Sequence, residues 1–222
     1  MGTKRVAYTA PFIIFMLFIG VSGWLQKAPF LPGDVGSMYL VFPLQTVVCG
    51  GLLAWFWPQY GMALPRKAWA AILIGLAVFA IWISPQAVFH QPPRLTGFNP
   101  TLFAGLPRIY WAELVMRFLR LVVVVPLLEE VFWRGFLLRA FINEDFDTVL
   151  FGAYAFRANA LVAIGFMLEH SFHDWPAGLI AGVLYNLTAF YSKSLSSCVL
   201  AHALTNALLG IFIMHTGQWG FW

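Results

Sequence analysis

Seven stretches of this chain run apolar for long enough to cross a bilayer, or nearly so, and no other property narrows its fold as far. About 20 apolar residues span the hydrocarbon core as a helix. The stretches are Ala7–Leu25, Met38–Trp57, Ala68–Phe89, Trp111–Ala140, Asn159–His170, Trp175–Tyr191 and Leu195–His215. Of the 222 residues, 61% are hydrophobic and only 10% are charged. Water-facing domains carry about 25% charged residues, so an ordinary soluble surface is excluded. The expectation is an all-α, polytopic transmembrane helical bundle of about seven spans (six to eight), with residues 1–222 forming one multi-pass domain.

Details of the runs refine that expectation. The fourth is over-long and holds Pro126, so it should kink or divide. Its opening, with Glu113, Arg117 and Arg120 at helical spacings, reads as an amphipathic lead-in at the membrane interface. The fifth, about 18 Å at 1.5 Å per residue, is too short for a simple crossing. Lys4, Arg5, Arg66, Lys67, Arg139, Arg157 and Lys193 fall on one side of a seven-span arrangement, and Lys27, Arg94 and Arg108 on the other. The positive-inside rule then places the N-terminus in the cytoplasm. The Pro-rich connection His90–Arg108 reads as an ordered outer loop or lid. Trp24, Trp55, Trp57, Trp219 and Trp222 lie where interfacial anchors belong. Cys49 and Cys198 sit in apolar stretches and read as buried free thiols. A net charge of +4, scattered among loops, does not suggest nucleic acid.

Three polar clusters interrupt the C-terminal half. Charged side chains at membrane depth cost about 3 kcal/mol each on insertion scales and mark function by default. Glu129-Glu130-x-x-x-Arg134 puts Glu130 and Arg134 four apart on one helix face, where they can pair. Glu129, about 100° round the helix, is left without that partner, which suits it to act as a general base. Phe166-x-x-x-His170 follows, with His173 and Asp174 behind it. His173 could assist His170 or pair with Glu169, and Asp174 before Trp175-Pro176 suits a helix N-cap. The third cluster, His202-x-x-x-Asn206, sets two hydrogen-bonding side chains on one face, suited to a developing oxyanion. Ala201, Ala203 and Ala207 beside it, and the Gly178-x-x-x-Gly182 spacing, favour close helix contact.

The three clusters in that order resemble the CPBP family, the type II CAAX prenyl endopeptidases and their bacteriocin-processing or immunity-associated relatives. The resemblance runs from about Val125 to Gly210, with a motif-bearing core of about residues 109–216. It implies a glutamate-dependent intramembrane endopeptidase acting near the membrane-anchored C-terminus of a protein or peptide. In that scheme Glu129 and His170 activate water, and His202 and Asn206 hold the oxyanion. Glu130, Arg134, Phe166 and His173 support them. No cofactor is implied. Zinc on Glu129, His170 and His202 is conceivable but disfavoured, because no His-Glu-x-x-His pairing exists. The expected setting is the cytoplasmic (inner) membrane, with lipid and a peptide substrate as partners; the sequence leaves the oligomeric state open. A non-catalytic binding or immunity-type protein and a proton-coupled transporter are the alternatives. The catalytic reading requires imidazoles from two different helices to meet Glu129 at one depth.

Overall fold

The structure is a computed structural model, and it describes residues 2–27 and 35–222. Among these, helices are the only regular elements. We number them α1 (Gly2–Lys27), α2 (Val35–Trp55), α3 (Ala68–Ala87), α4 (107–140), α5 (Phe156–Glu169), α6 (Trp175–Ser192) and α7 (Leu195–Thr216). Four of them, α1, α2, α3 and α7, are long and apolar enough to cross a membrane by length and composition. Their many exposed large side chains, such as Leu17, Leu40, Leu73 and Ile211, suit a body whose solvent is lipid.

Small residues set the closest helix contacts. A Cβ on Gly75 of α3 would stand 2.7 Å from the carbonyl oxygen of Ala201 in α7. A Cβ on Gly182 of α6 would stand 3.0 Å from Ala163 Cα in α5. The Gly178-x-x-x-Gly182 spacing therefore serves packing of α6 on α5 within the chain. Helix α1 docks on α2 through Gln45, whose Nε2 donates to Phe15 O at 2.8 Å, and on α4 through Phe12, stacked on Phe132 at 4.0 Å. Cys49 and Cys198 are buried and free.

Helix α4 neither breaks nor splits at Pro126. It runs as Pro107–Leu119, a π-helical stretch Arg120–Val124, an α-helical turn Val125–Glu130, a second π-helical stretch Val131–Leu137, and Leu138–Ala140. Proline lacks an N–H, and the wider π turn accommodates the local mismatch. Val125 N–H reaches back five residues to Arg120 O. Leu121 O then has neither Val125 nor the N–H that Pro126 lacks. Asn206 of α7 supplies the donor instead, Nδ2 to Leu121 O at 2.9 Å. Such π insertions concentrate at functional sites.

Three sequence expectations are corrected. Arg117 and Arg120 do not lie at an interface: they are 4% and 8% exposed, with their guanidiniums against aromatic rings. Trp222 is not an anchor in a lipid interface but packs edge-on to Phe98 and Phe118; Trp24, Trp55 and Trp57 do remain exposed. Asp174 precedes α6 without capping it through its side chain. It accepts instead from Ser171 Oγ at 2.6 Å and pairs with Arg94 Nη1 at 2.6 Å. Arg94 belongs to the 90–106 connection, so this pair fastens that loop to the bundle. Gly220 N–H donates to Arg94 O at 2.9 Å and ties in the C-terminal turn.

Candidate functional site

The two acids of α4 are both buried and are treated differently. Arg134, with no exposed surface, donates from Nη1 to Glu130 Oε1 at 3.0 Å, one helical turn away. Its Nε donates to Asn186 Oδ1 at 3.0 Å and its Nη2 to Gly182 O at 3.2 Å. The guanidinium plane lies 4.7 Å from the Phe166 ring and 5.3 Å from the Tyr185 ring. Asn186 is in turn held by donating from Nδ2 to Asn159 O. Arg134 thereby locks α4 to α6, and Glu130 has its counter-ion. Glu129 has no such cation: its Oε2 is buried without a hydrogen-bond partner.

Two imidazoles face the same space from different elements. Helix α7 starts where Ser194 Oγ accepts from Ser197 N–H, which puts His202 two turns in. His202 Nδ1 stands 2.9 Å from Glu130 Oε1. A carboxylate only accepts, so the proton is assigned to Nδ1. Nε2 is then turned toward Glu129 Oε2, 3.9 Å away, beyond hydrogen-bond length. The Tyr185 ring stacks on His202 with centroids 4.9 Å apart and fixes its plane. His170 lies where α5 stops, its backbone already extended. Its Nδ1 is 2.8 Å from Phe166 O; since a carbonyl accepts, Nδ1 donates and Nε2 keeps a lone pair. Phe166 does three things at once: its carbonyl sets the His170 tautomer, its ring packs 5.0 Å from His170 and 6.0 Å from His202, and its face carries Arg134.

Glu129, His170, His202 and Asn206 all line one cavity of about 330 Å³. The short fifth helix brings the two imidazoles together: α5 ends after Glu169, and His170 lines the same cavity as His202 of α7. Over the cavity lie Arg94, Phe221 and Trp222, so the 90–106 connection and the C-terminal turn form part of its wall. Among the described residues, no group of three His, Cys, Asp or Glu side chains is placed to share a metal ion.

Other placements differ from the sequence reading. His173 does not line this cavity; it borders a separate groove formed with residues 85–96, because the turn Phe172–Asp174 swings it outward. Glu169 does not pair with His173. It accepts from Trp133 Nε1 at 2.9 Å and lines the cavity. Asn206 commits one amide hydrogen to Leu121 O and keeps a second.

Glu169, Asn186, Tyr185 and Arg120 were missed as site residues. An acid next to His170 in an apolar run, and an amide in the middle of α6, were the available signals. The Arg120 signal was present but was read as interfacial.

These features define a class: a helical membrane protein with a polar cavity, a pair of adjacent acids of which only one is bound to an arginine, and imidazoles from two helices. Residues 110–208 match the family model of type II CAAX prenyl endopeptidase, Rce1-like proteins, a stretch that includes Glu129, Glu130, Arg134, His170, His202 and Asn206. The match supports the CPBP resemblance carried by the three motifs: over residues 110–208 the chain is similar to that family. No curated protein and no solved structure matches the chain.

Proposed function

We propose that the chain, as one multi-pass domain of the cytoplasmic membrane with its N-terminus inside, hydrolyses a peptide bond near the membrane-anchored C-terminus of a protein or peptide. The observation that carries this reading is the division of the acid pair: Glu130 is tied to Arg134 and His202, and Glu129 faces the cavity without a cation. A closed interior with both glutamates in salt bridges would have favoured a binding protein.

A water molecule has two hydrogens to place. In this scheme the Glu129 carboxylate and the His170 Nε2 lone pair accept them. With both hydrogens engaged, the oxygen lone pair faces a substrate carbonyl. Glu129 takes the proton as the C–O bond forms, and returns it to the amine as the C–N bond breaks. The products are a carboxylic acid and an amine, and Glu129 ends as it began. The second amide hydrogen of Asn206, and His202 Nε2 when it carries a proton, are the donors for the oxyanion. Glu130, Arg134 and Phe166 hold these groups in register. No cofactor takes part in this scheme, and activity is expected to survive exhaustive chelation.

The test is cleavage by purified protein in proteoliposomes, using an N-terminally acylated peptide library read by mass spectrometry. Glu129→Gln, His170→Ala and His202→Ala should each abolish cleavage while insertion and helical content stay intact. Full activity in Glu129→Gln would end this reading.

A further inference from the structure

Two neighbouring guanidiniums on α4, one of them in the cavity wall, have no carboxylate within salt-bridge distance among the described residues. Arg117 and Arg120 sit three residues apart on α4, so two like charges share one helix face. Both are more than nine-tenths buried. Arg120 lines the cavity. Its Nε donates to Gln45 Oε1 at 2.8 Å, and the rest of its charge lies on the rings of Phe15 and Phe42, 5.0 and 4.6 Å from the centroids. Arg117 has no hydrogen-bond partner among the described residues at Nε or Nη1. Its guanidinium stacks on Phe42, Phe98 and the cavity residue Trp222, at 5.0–5.2 Å. No carboxylate lies within salt-bridge distance of either group in the described residues. A buried charge that keeps unused donors is costly unless something pairs with it.

We propose that Arg117 and Arg120 form a carboxylate-binding subsite, which receives the free C-terminal carboxylate of the peptide whose bond is cut at Glu129. This rests on the protease reading above. The guanidinium fork matches a carboxylate with paired, charge-assisted hydrogen bonds. The aromatic rings hold the forks flat and leave their edges as the donors. Arg120 and Glu129 are nine positions apart on α4, roughly 13 Å along a helix. The carboxylate is therefore held apart from the reacting carbonyl, and Arg117 and Arg120 select the substrate rather than take part in bond breaking.

The experiment compares one acylated peptide library in two forms, C-terminal free acid and C-terminal amide, in proteoliposomes. Wild-type protein should cleave the acid form roughly tenfold to a hundredfold more efficiently, the range expected for hydrogen bonds to a charged partner. Arg120→Gln and Arg117→Gln should raise KM for the acid, leave kcat within about threefold, and erase the preference. Arg120→Lys should recover part of it. A residue needed only for folding would lower cleavage of both forms alike. Wild-type protein that cleaves both acid and amide, and equally well, or a preference that survives in both Gln variants, overturns the proposal. A second arm measures retention of the same two libraries by immobilised Glu129→Gln protein, which does not depend on turnover. Selective retention of the acid form supports the subsite even if the wild type cleaves neither form, and retention of both alike, or of neither, overturns it.

Discussion

Three of the buried arginines of helix α4, Arg117, Arg120 and Arg134, line up along it, and its two ends treat them in opposite ways. At the Arg134 end the guanidinium meets a carboxylate, an amide oxygen, a carbonyl oxygen and two ring faces. At the Arg117–Arg120 end one guanidinium has a side-chain amide and both lie on aromatic rings, with no carboxylate within salt-bridge distance among the described residues. A closed charge network holds three helices in place. An open one holds donors ready for something that arrives. The same contrast recurs within the acid pair, where Glu130 belongs to the closed network and Glu129 to the open chamber.

The sharpest way to break this comparison is to remove the charge at each end and compare stabilities. Arg134→Met strands Glu130 in a dry interior and should cost about 3–5 kcal/mol. Arg117→Met removes a buried charge that has no acid, and loses only cation–π contacts. Its unfolding free energy should change by about 1 kcal/mol or less. Unfolding in detergent micelles, followed by helical content, reads both; equal losses would erase the distinction between the two ends. A smaller effect tests whether the chamber depends on close packing behind it. Gly75→Ala pushes a methyl group against Ala201 O and should cost about 1–3 kcal/mol, with a lowered kcat because α7 carries His202 and Asn206. Unchanged stability would show that α3 and α7 separate freely.

The weakest effect lies outside the membrane-spanning helices. Lys4 donates to Asp147 Oδ1 at 2.5 Å, which holds the Asp147 carboxyl below the ordinary carboxylate range. Its contribution is present above the unfolded value, about 3.9, and fades as pH falls through the folded one. Both partners are partly exposed, so Asp147→Asn should lower stability by less than about 1 kcal/mol and remove that acid dependence. A larger loss, or one that grows as pH falls, would contradict it.

Much of this was legible in the sequence, for identifiable reasons. Apolar run length sets helix number, and the i, i+4 spacing of Glu130 and Arg134 sets their pairing; both are local properties. The shortness of the Asn159–His170 run signalled that His170 stops inside the bundle. What was not legible depends on which neighbours assemble around a residue. Arg117 and Arg120 look interfacial on a helical wheel, because the rings that bury them come from α1, α2, the 90–106 connection and the C-terminal turn. Asp174 has the spacing of an N-cap, but Arg94, 80 positions earlier in the chain, takes it. His173 is next to a site motif in sequence and outside the cavity in space, because one turn of backbone separates it from His170.

The central claim is that neighbouring acids on α4 have separate jobs, and one paired measurement addresses it. Purified Glu129→Gln and Glu130→Gln proteins are assayed side by side for unfolding free energy and for peptide cleavage in proteoliposomes. The account predicts that Glu129→Gln keeps wild-type stability and loses turnover by a factor on the order of 10²–10⁴. It predicts that Glu130→Gln loses stability, because Arg134 and His202 lose their shared carboxylate. A Glu129→Gln protein that cleaves at the wild-type rate, or two variants that behave alike in both assays, would contradict it.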